Sequence, residues 1–198
     1  MSSIPANAAP EARQTSRRTL LALIALTIAP VAASYFTYYV IKPTQAHTVG
    51  DLLSIQPLPT LPALNLDGQP TDLRSLRGKW VLLMADSGSC AQSCQNLLFT
   101  LRQLRLAQGR EMGRIERLML VRDTVPQHLP DTAAGVHVWR DTGGLMQRLP
   151  VAQQADVGRF IYVIDPLGNQ VLRYRDDTEP RAIIRELGKL LKNNQGLG

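Results

Sequence analysis

Thr19 to Ile41 is a run of 23 residues, TLLALIALTIAPVAASYFTYYVI, without a single charged side chain. No other feature restricts the fold of this chain as strongly. At 1.5 Å per residue a helix over it reaches roughly 34 Å, which matches the hydrocarbon core of a bilayer. Arg17 and Arg18 precede the run, and Tyr35, Phe36, Tyr38 and Tyr39 gather at its far end. Basic residues before an apolar span hold that end in the cytoplasm, and aromatic rings favour the membrane–water interface. This order argues against a buried helix of a soluble domain. It predicts a single-pass anchor at 19–41, with residues 1–18 cytoplasmic and everything after Lys42 on the far side. For a bacterial inner membrane the far side is the periplasm. Two other readings stay open. Val31-Ala32-Ala33 is compatible with a signal-peptidase site, and Ser16-Arg17-Arg18 faintly resembles a twin-arginine signal. All three deliver the domain to the same compartment. Pro30 falls mid-span, where a membrane helix tolerates it.

The net charge of +6 invites a nucleic-acid reading, but its distribution opposes one. Arg13, Arg17, Arg18 and Lys42 against Glu11 put half of that excess at the anchor, and the rest is scattered. Aromatic residues make up only 5%, too few for a base-stacking platform. No nucleic-acid partner is expected. Hydrophobic residues at 44% support a genuine core and exclude global disorder.

Residues 42–60 read as a proline-containing linker, and a domain is expected over 61–194. Leu64 to Leu66 followed by Asp67-Gly68 reads as a short strand and turn. Lys79 to Ala85 is a near-continuous apolar run, as in a buried central strand. Apolar residues at 97, 98, 101, 104 and 106 predict a helix from about Cys90 to Ala107. Ile115–Val121, Val136–Trp139 and Phe160–Ile164 read as strands, the first of them parallel. A short helix is expected over Gly144–Leu149. Asp165–Asn169 reads as a turn, Val171–Tyr174 as a hairpin partner, and Glu179–Leu191 as a terminal helix. The order gives an α/β sandwich with a mixed sheet.

The chain has two cysteines, Cys90 and Cys94. Strand, small-polar loop, then cysteines at a helix start is a chemical arrangement, because free amide groups and the helix dipole stabilise a thiolate there. At i and i+4 the two would share a helix face, close enough for a disulfide or for two sulfurs on one soft ion such as Cu(I). Two cysteines alone do not make a four-ligand structural zinc site. Cys90 would be the attacking thiolate and Cys94 the resolving one. A plain structural disulfide is the bland alternative, although so short a loop removes little chain entropy.

Thr71-Asp72-Leu73-Arg74-Ser75-Leu76-Arg77-Gly78-Lys79-Trp80-Val81-Leu82-Leu83 resembles the opening of thioredoxin-like domains. Within that superfamily the C-x-x-x-C spacing resembles the Sco/SenC family of copper chaperones for cytochrome c oxidase. Arg122-Asp123-Thr124-Val125-Pro126 and Tyr162-Val163-Ile164-Asp165-Pro166-Leu167-Gly168 resemble two further stretches of that family. The single-pass anchor agrees with it, and the likeness covers roughly residues 58–192. It implies a thioredoxin-like sandwich and action at the copper site of a respiratory oxidase. It also implies Cys90 and Cys94 as catalytic dithiol and as Cu(I) ligands, with an oxidase subunit or another assembly factor as partner.

The departures are specific. Ala91 and Gln95 stand where the family usually has proline, and the position of its copper-ligand histidine falls on Val157, after Asp156. Gly158-Arg159, without proline, precede Phe160, where thioredoxin-type oxidoreductases place a proline. Cu(II), which prefers nitrogen and oxygen donors, would be poorly held, and weight moves from copper carriage towards thiol chemistry on a partner. A general thiol–disulfide oxidoreductase and a non-catalytic docking module remain alternatives; a peroxidase is a weaker variant. His47, His128 and His137 are not assigned as ligands, and His137 reads as a surface residue of its strand. Asp86 is a candidate proton acceptor for a thiol. Asp176-Asp177 read as the cap of the last helix, and Trp80 and Trp139 as core.

Overall fold

The computed structural model describes residues 11–39, 48–124, 129–150 and 154–193. It divides into two compact units, 1–47 and 48–198.

The described residues of the first unit form one helix, α1, Glu11–Tyr39. It contains a segment, Arg17–Phe36, of mean hydropathy 2.0, none of it buried within the protein. By length and composition this helix is able to cross a membrane. It starts earlier than the apolar run, so residues 11–18, read as part of a polar terminus, are helical. Pro30 lies inside it.

The second unit is an eight-stranded sheet with helices. Its strands are β1 (Asp51–Pro57), β2 (Ala63–Leu64), β3 (Pro70–Thr71), β4 (Trp80–Asp86), β5 (Ile115–Val121), β6 (His137–Asp141), β7 (Phe160–Ile164) and β8 (Asn169–Arg175). They lie in the order β1-β8-β7-β4-β5-β6-β2-β3. β5 is parallel to β4 and to β6, while β7 runs antiparallel to β4 and β8 antiparallel to β7. The mixed sheet expected from the sequence is present. A parallel pair needs a long crossover, and helix α2 (Gln92–Leu106) supplies it between β4 and β5.

Side chains alternate across a strand, so β4 feeds two cores. Leu82 and Met84 pack with Met119, Val121, Ile161 and Val163 beneath Leu97, Leu98, Leu101 and Leu104 of α2. Ile183, Leu187 and Leu191 of helix α3 (Pro180–Asn193) complete that layer. Val81, Leu83 and Ala85 face the other way, with Leu118, Leu120, Tyr162 and Trp139 against Leu145, Met146 and Val157. Trp80 and Trp139 are both buried, as expected of core residues.

Several elements differ from expectation. Residues 51–57, read as linker, form β1, which pairs with β8. Proline count alone did not register the partner strand. The strand read at 64–66 is only Ala63–Leu64; Asn65 Oδ1 accepts from the amides of Asp67 and Gln69 and turns the chain there, leaving Leu66 exposed. Leu106, counted among the core residues of its helix, is exposed at the helix end. Glu179, rather than Asp176 or Asp177, caps α3: its Oε2 accepts the Ala182 amide. Asp176 and Asp177 pair instead with Arg159 and Arg175.

Candidate functional site: the cysteine loop at the end of the central strand

β4 ends at Asp86, and the chain crosses from sheet to helix in five residues. Asp86 Oδ1 accepts two amides of that crossing, Gly88 N at 2.7 Å and Cys90 N at 3.1 Å. One carboxylate oxygen therefore folds the loop back on the strand end, an Asx-type turn. The neighbouring strand secures the other side. Arg122 N donates to Asp86 O at 3.1 Å and Asp123 N to Ser87 O at 3.4 Å. Gly88 sits at φ +112°, and a Cβ placed here would collide with the Thr124 carbonyl oxygen. The sequence reading offered Asp86 as a proton acceptor; the structure gives it a positioning role at this loop.

Cys90 follows at φ +41°, the one non-glycine residue in the left-handed region among the described residues. That conformation is uncommon for a residue with a Cβ. It directs Cys90 back to Cys94, and the two form a disulfide with Cα atoms 4.9 Å apart. The expected helix from Cys90 begins instead at Gln92, with Ala91 as N-cap. Cys94 lies in the first turn and Cys90 outside the helix, so the two do not share a helix face. They are brought together by the loop. Ala91 has no side chain able to cap, which leaves the first amides of α2 without a side-chain acceptor. Amides of that kind stabilise negative charge on a nearby sulfur. Both residues are buried, Cys90 at 6% exposure being slightly more open than Cys94 at 2%.

Beside the loop lies an open cleft of about 300 Å³. Asp86, Ser87 and Ser93 line one part of it, Arg122 and Met146 another, and Val157, Gly158, Arg159 and Asp176 the rest. Val157, the residue at the resemblance's histidine position, is thus on the cleft wall, and it is buried. Gly158 packs close to the Ala85 carbonyl, where a Cβ would lie 3.2 Å from the oxygen. The Arg122–Thr124 stretch, singled out in the sequence only by likeness, contacts the cysteine loop through its backbone and adds Arg122 to the cleft. Arg122 was missed as a cleft residue because strand order alone does not say which residues turn towards a neighbouring loop.

The other candidates lie apart. His137 starts β6, at the end away from the cysteine loop, and its Nε2 is 3.3 Å from Glu116 Oε2. His47 and His128 lie outside the described residues, as do Val125 and Pro126. Among the described residues no group of three or more His, Cys, Asp and Glu is arranged to hold a metal. Burial raises the Tyr162 phenol well above its ordinary value, against a smaller lowering from Arg173. The Tyr174 phenol is raised likewise, by burial first and then by the negative charge of Glu186. These are core groups of the sheet.

The comparisons with known proteins follow the same fold. No curated protein sequence matches the chain. Among solved structures, ScoI of Arabidopsis thaliana with copper bound superposes with a TM-score of 0.57 at 16% identity, over 70% of this chain and 99% of that one. A putative protein disulfide isomerase from Bacteroides thetaiotaomicron gives 0.55 at 18% identity, over 74% and 95%. BsSco, described as a member of the Sco family of cytochrome c oxidase assembly proteins with a disulfide switch, gives 0.52 at 16%, over 70% and 95%. At such identities these likenesses establish the thioredoxin-like fold. The sequence profile described as the transmembrane-like, thioredoxin-like, C-terminal domain matches residues 80–194, more than half of the chain, and the protein belongs to that family.

Proposed function

We propose that this protein is a membrane-anchored, Sco-like assembly factor for the copper site of a respiratory cytochrome oxidase, acting through the Cys90–Cys94 dithiol. In this reading α1 crosses the inner membrane once and the domain works in the periplasm. The observation that carries the reading is the Cys90–Cys94 disulfide, held on a pinned loop at the end of the central strand. The copper-bound and disulfide-switching neighbours of the same fold support the oxidase context.

The reaction is thiol–disulfide exchange. In the reduced protein the Cys90 thiolate attacks one sulfur of a partner's disulfide, forming a mixed disulfide and releasing the partner's other sulfur as a thiolate. Cys94, as thiolate, then attacks Cys90, which releases the second partner thiolate and leaves the Cys90–Cys94 disulfide. Two electrons pass to the partner, and a dithiol reductant of the same compartment restores the pair. The slightly greater exposure of Cys90 and its place before the uncapped helix start suit it to the first attack.

Copper enters as cargo. The residues here fit it only in part: the reduced pair offers two thiolates, a donor set for Cu(I), whereas Val157 offers no third ligand for Cu(II). The copper-bound neighbour favours Cu(I) carriage as the second reading. An anaerobic Cu(I) titration of the reduced full chain in detergent, against a competing chelator, tests it. One-to-one binding lost in both Cys90→Ser and Cys94→Ser supports carriage. Absence of binding, with a disulfide that reduces readily, leaves exchange alone. A disulfide that resists reduction supports the non-catalytic docking module.

A further inference from the structure

A second surface lies along the β1 edge of the sheet, away from the cysteine loop. Leu52 and Ile55 of β1 are 72% and 73% exposed, unusually open for large apolar side chains of a strand. With Leu53, Trp80 and Leu190 they border an apolar groove of about 280 Å³. Helix α3, which contributes Leu190, is strongly two-sided. Ile183, Leu187 and Leu191 are buried, while Arg181, Arg185, Lys189 and Lys192 are exposed at helical spacing along the opposite face. None of these four cations pairs with an acidic group among the described residues.

The acids of the same region are already engaged. Asp51 pairs with Arg173 at 2.9 Å, and Glu186 Oε2 accepts the Gly50 amide at 3.1 Å. Asp165, on the groove wall, accepts the Leu167 and Asn169 amides and the Asn169 side-chain amide. The surface therefore presents exposed aliphatic side chains together with a stripe of four cations that form no ion pair among the described residues. That pairing suits an anionic lipid surface, where apolar groups enter the interface and Lys and Arg meet the headgroups.

We propose that the β1 edge and the outer face of α3 dock on the anionic surface of the bilayer that α1 occupies. The proposal rests on the anchoring reading. Only twelve positions of sequence separate Tyr39, the last residue of α1, from Asp51, the first of β1. So short a tether keeps the bilayer at high effective concentration beside this edge. A soluble protein partner has no such advantage. Docking in this way fixes which side of the domain faces the membrane.

The test uses the full chain with its disulfide intact, reconstituted in vesicles of equal parts phosphatidylcholine and phosphatidylglycerol. A nitroxide at Ile55→Cys is compared with one at Leu66→Cys, which is exposed at the β2–β3 turn on the other edge of the sheet. Collisions with oxygen report lipid contact, and collisions with a water-soluble nickel chelate report exposure to water. The expected result is a large loss of nickel collisions and a gain of oxygen collisions at residue 55 alone. Reversing Arg181, Arg185, Lys189 and Lys192 to glutamate, or omitting phosphatidylglycerol, returns residue 55 to water. Equal exposure of residues 55 and 66 in chains that float with the vesicles overturns docking and leaves anchoring intact. A chain that does not float overturns both. Shelter of residue 55 that appears in detergent and grows with protein concentration assigns this edge to a second copy and overturns the proposal.

Discussion

At the residue scale, Gly88 and Val157 decide what the cysteine loop can do. Gly88 combines φ +112° with backbone contact to Thr124, so a methyl group has neither a relaxed conformation nor space. Gly88→Ala is expected to cost about 2 kcal/mol or more of stability, from positive-φ strain with the collision added. The same variant shifts the reduction potential of Cys90–Cys94, because the loop sets the approach of the two sulfurs. Urea unfolding and equilibration with a thiol redox buffer read the two effects. Val157 stands at the position where the Sco/SenC resemblance places a copper-ligand histidine, and its side chain offers no nitrogen donor. Val157→His is expected to give the reduced protein a Cu(II)–thiolate absorption band that the parent lacks. Absence of the band would show that the cleft wall does not stand where Sco/SenC proteins place their histidine.

At the scale of elements, α2 tests the packing argument. Leu98 and Phe99 are neighbours, but Leu98 is fully buried beneath the helix and Phe99 is 53% exposed. Leu98→Ala is expected to cost about 2–5 kcal/mol through lost burial and a residual cavity, and Phe99→Ala to stay within about 0.5 kcal/mol. Chemical denaturation of the two variants checks the contrast. Both faces of β4 were legible in the sequence, because a continuous apolar run of that length has to be covered on both sides. So were α2 and α3, from the recurrence of leucine and isoleucine at helical spacing. β1 was not legible. Its residues are mostly exposed, and its strand character comes from pairing with β8 more than one hundred residues away. The start of α2 was misplaced for a related reason. Cys90 looks compatible with a helix until Asp86 is seen holding its amide and giving the loop a left-handed residue. The spacing of the cysteines made it legible that the two could meet, as a disulfide or as ligands of one ion, and the disulfide is what forms; the role of Arg122–Thr124 as the loop's support was not legible.

At the scale of the whole molecule, stability rests on two cores on either side of one sheet, not on the disulfide. The loop it closes is only five residues long, and chain-entropy reasoning gives such a crosslink about 2 kcal/mol. Reduction is therefore expected to lower the urea midpoint modestly while unfolding stays cooperative. The buried phenols set the alkaline limit. Tyr162 and Tyr174 are held protonated in the folded state, above the value of about 10 at which an unfolded chain releases the proton. Their contribution is complete below about pH 10 and is lost as the pH rises beyond it, because only the unfolded state then ionises. Urea midpoints at about pH 8 and about pH 11 are expected to differ, with the lower value at the higher pH. Tyr174→Phe should reduce that difference.

Exchange of Cys90 and Cys94 with a partner's disulfide, as proposed, leaves a trappable intermediate. The most direct measurement is adduct trapping with the full chain in detergent, mixed with an oxidised peptide carrying the copper-site cysteines of an oxidase subunit. Cys94→Ser is expected to accumulate a mixed disulfide at Cys90, and Cys90→Ser to accumulate little. The reduced parent is expected to release reduced peptide as its own disulfide forms. No adduct with Cys94→Ser, together with a parent disulfide that persists in strong dithiol reductant, would contradict the account.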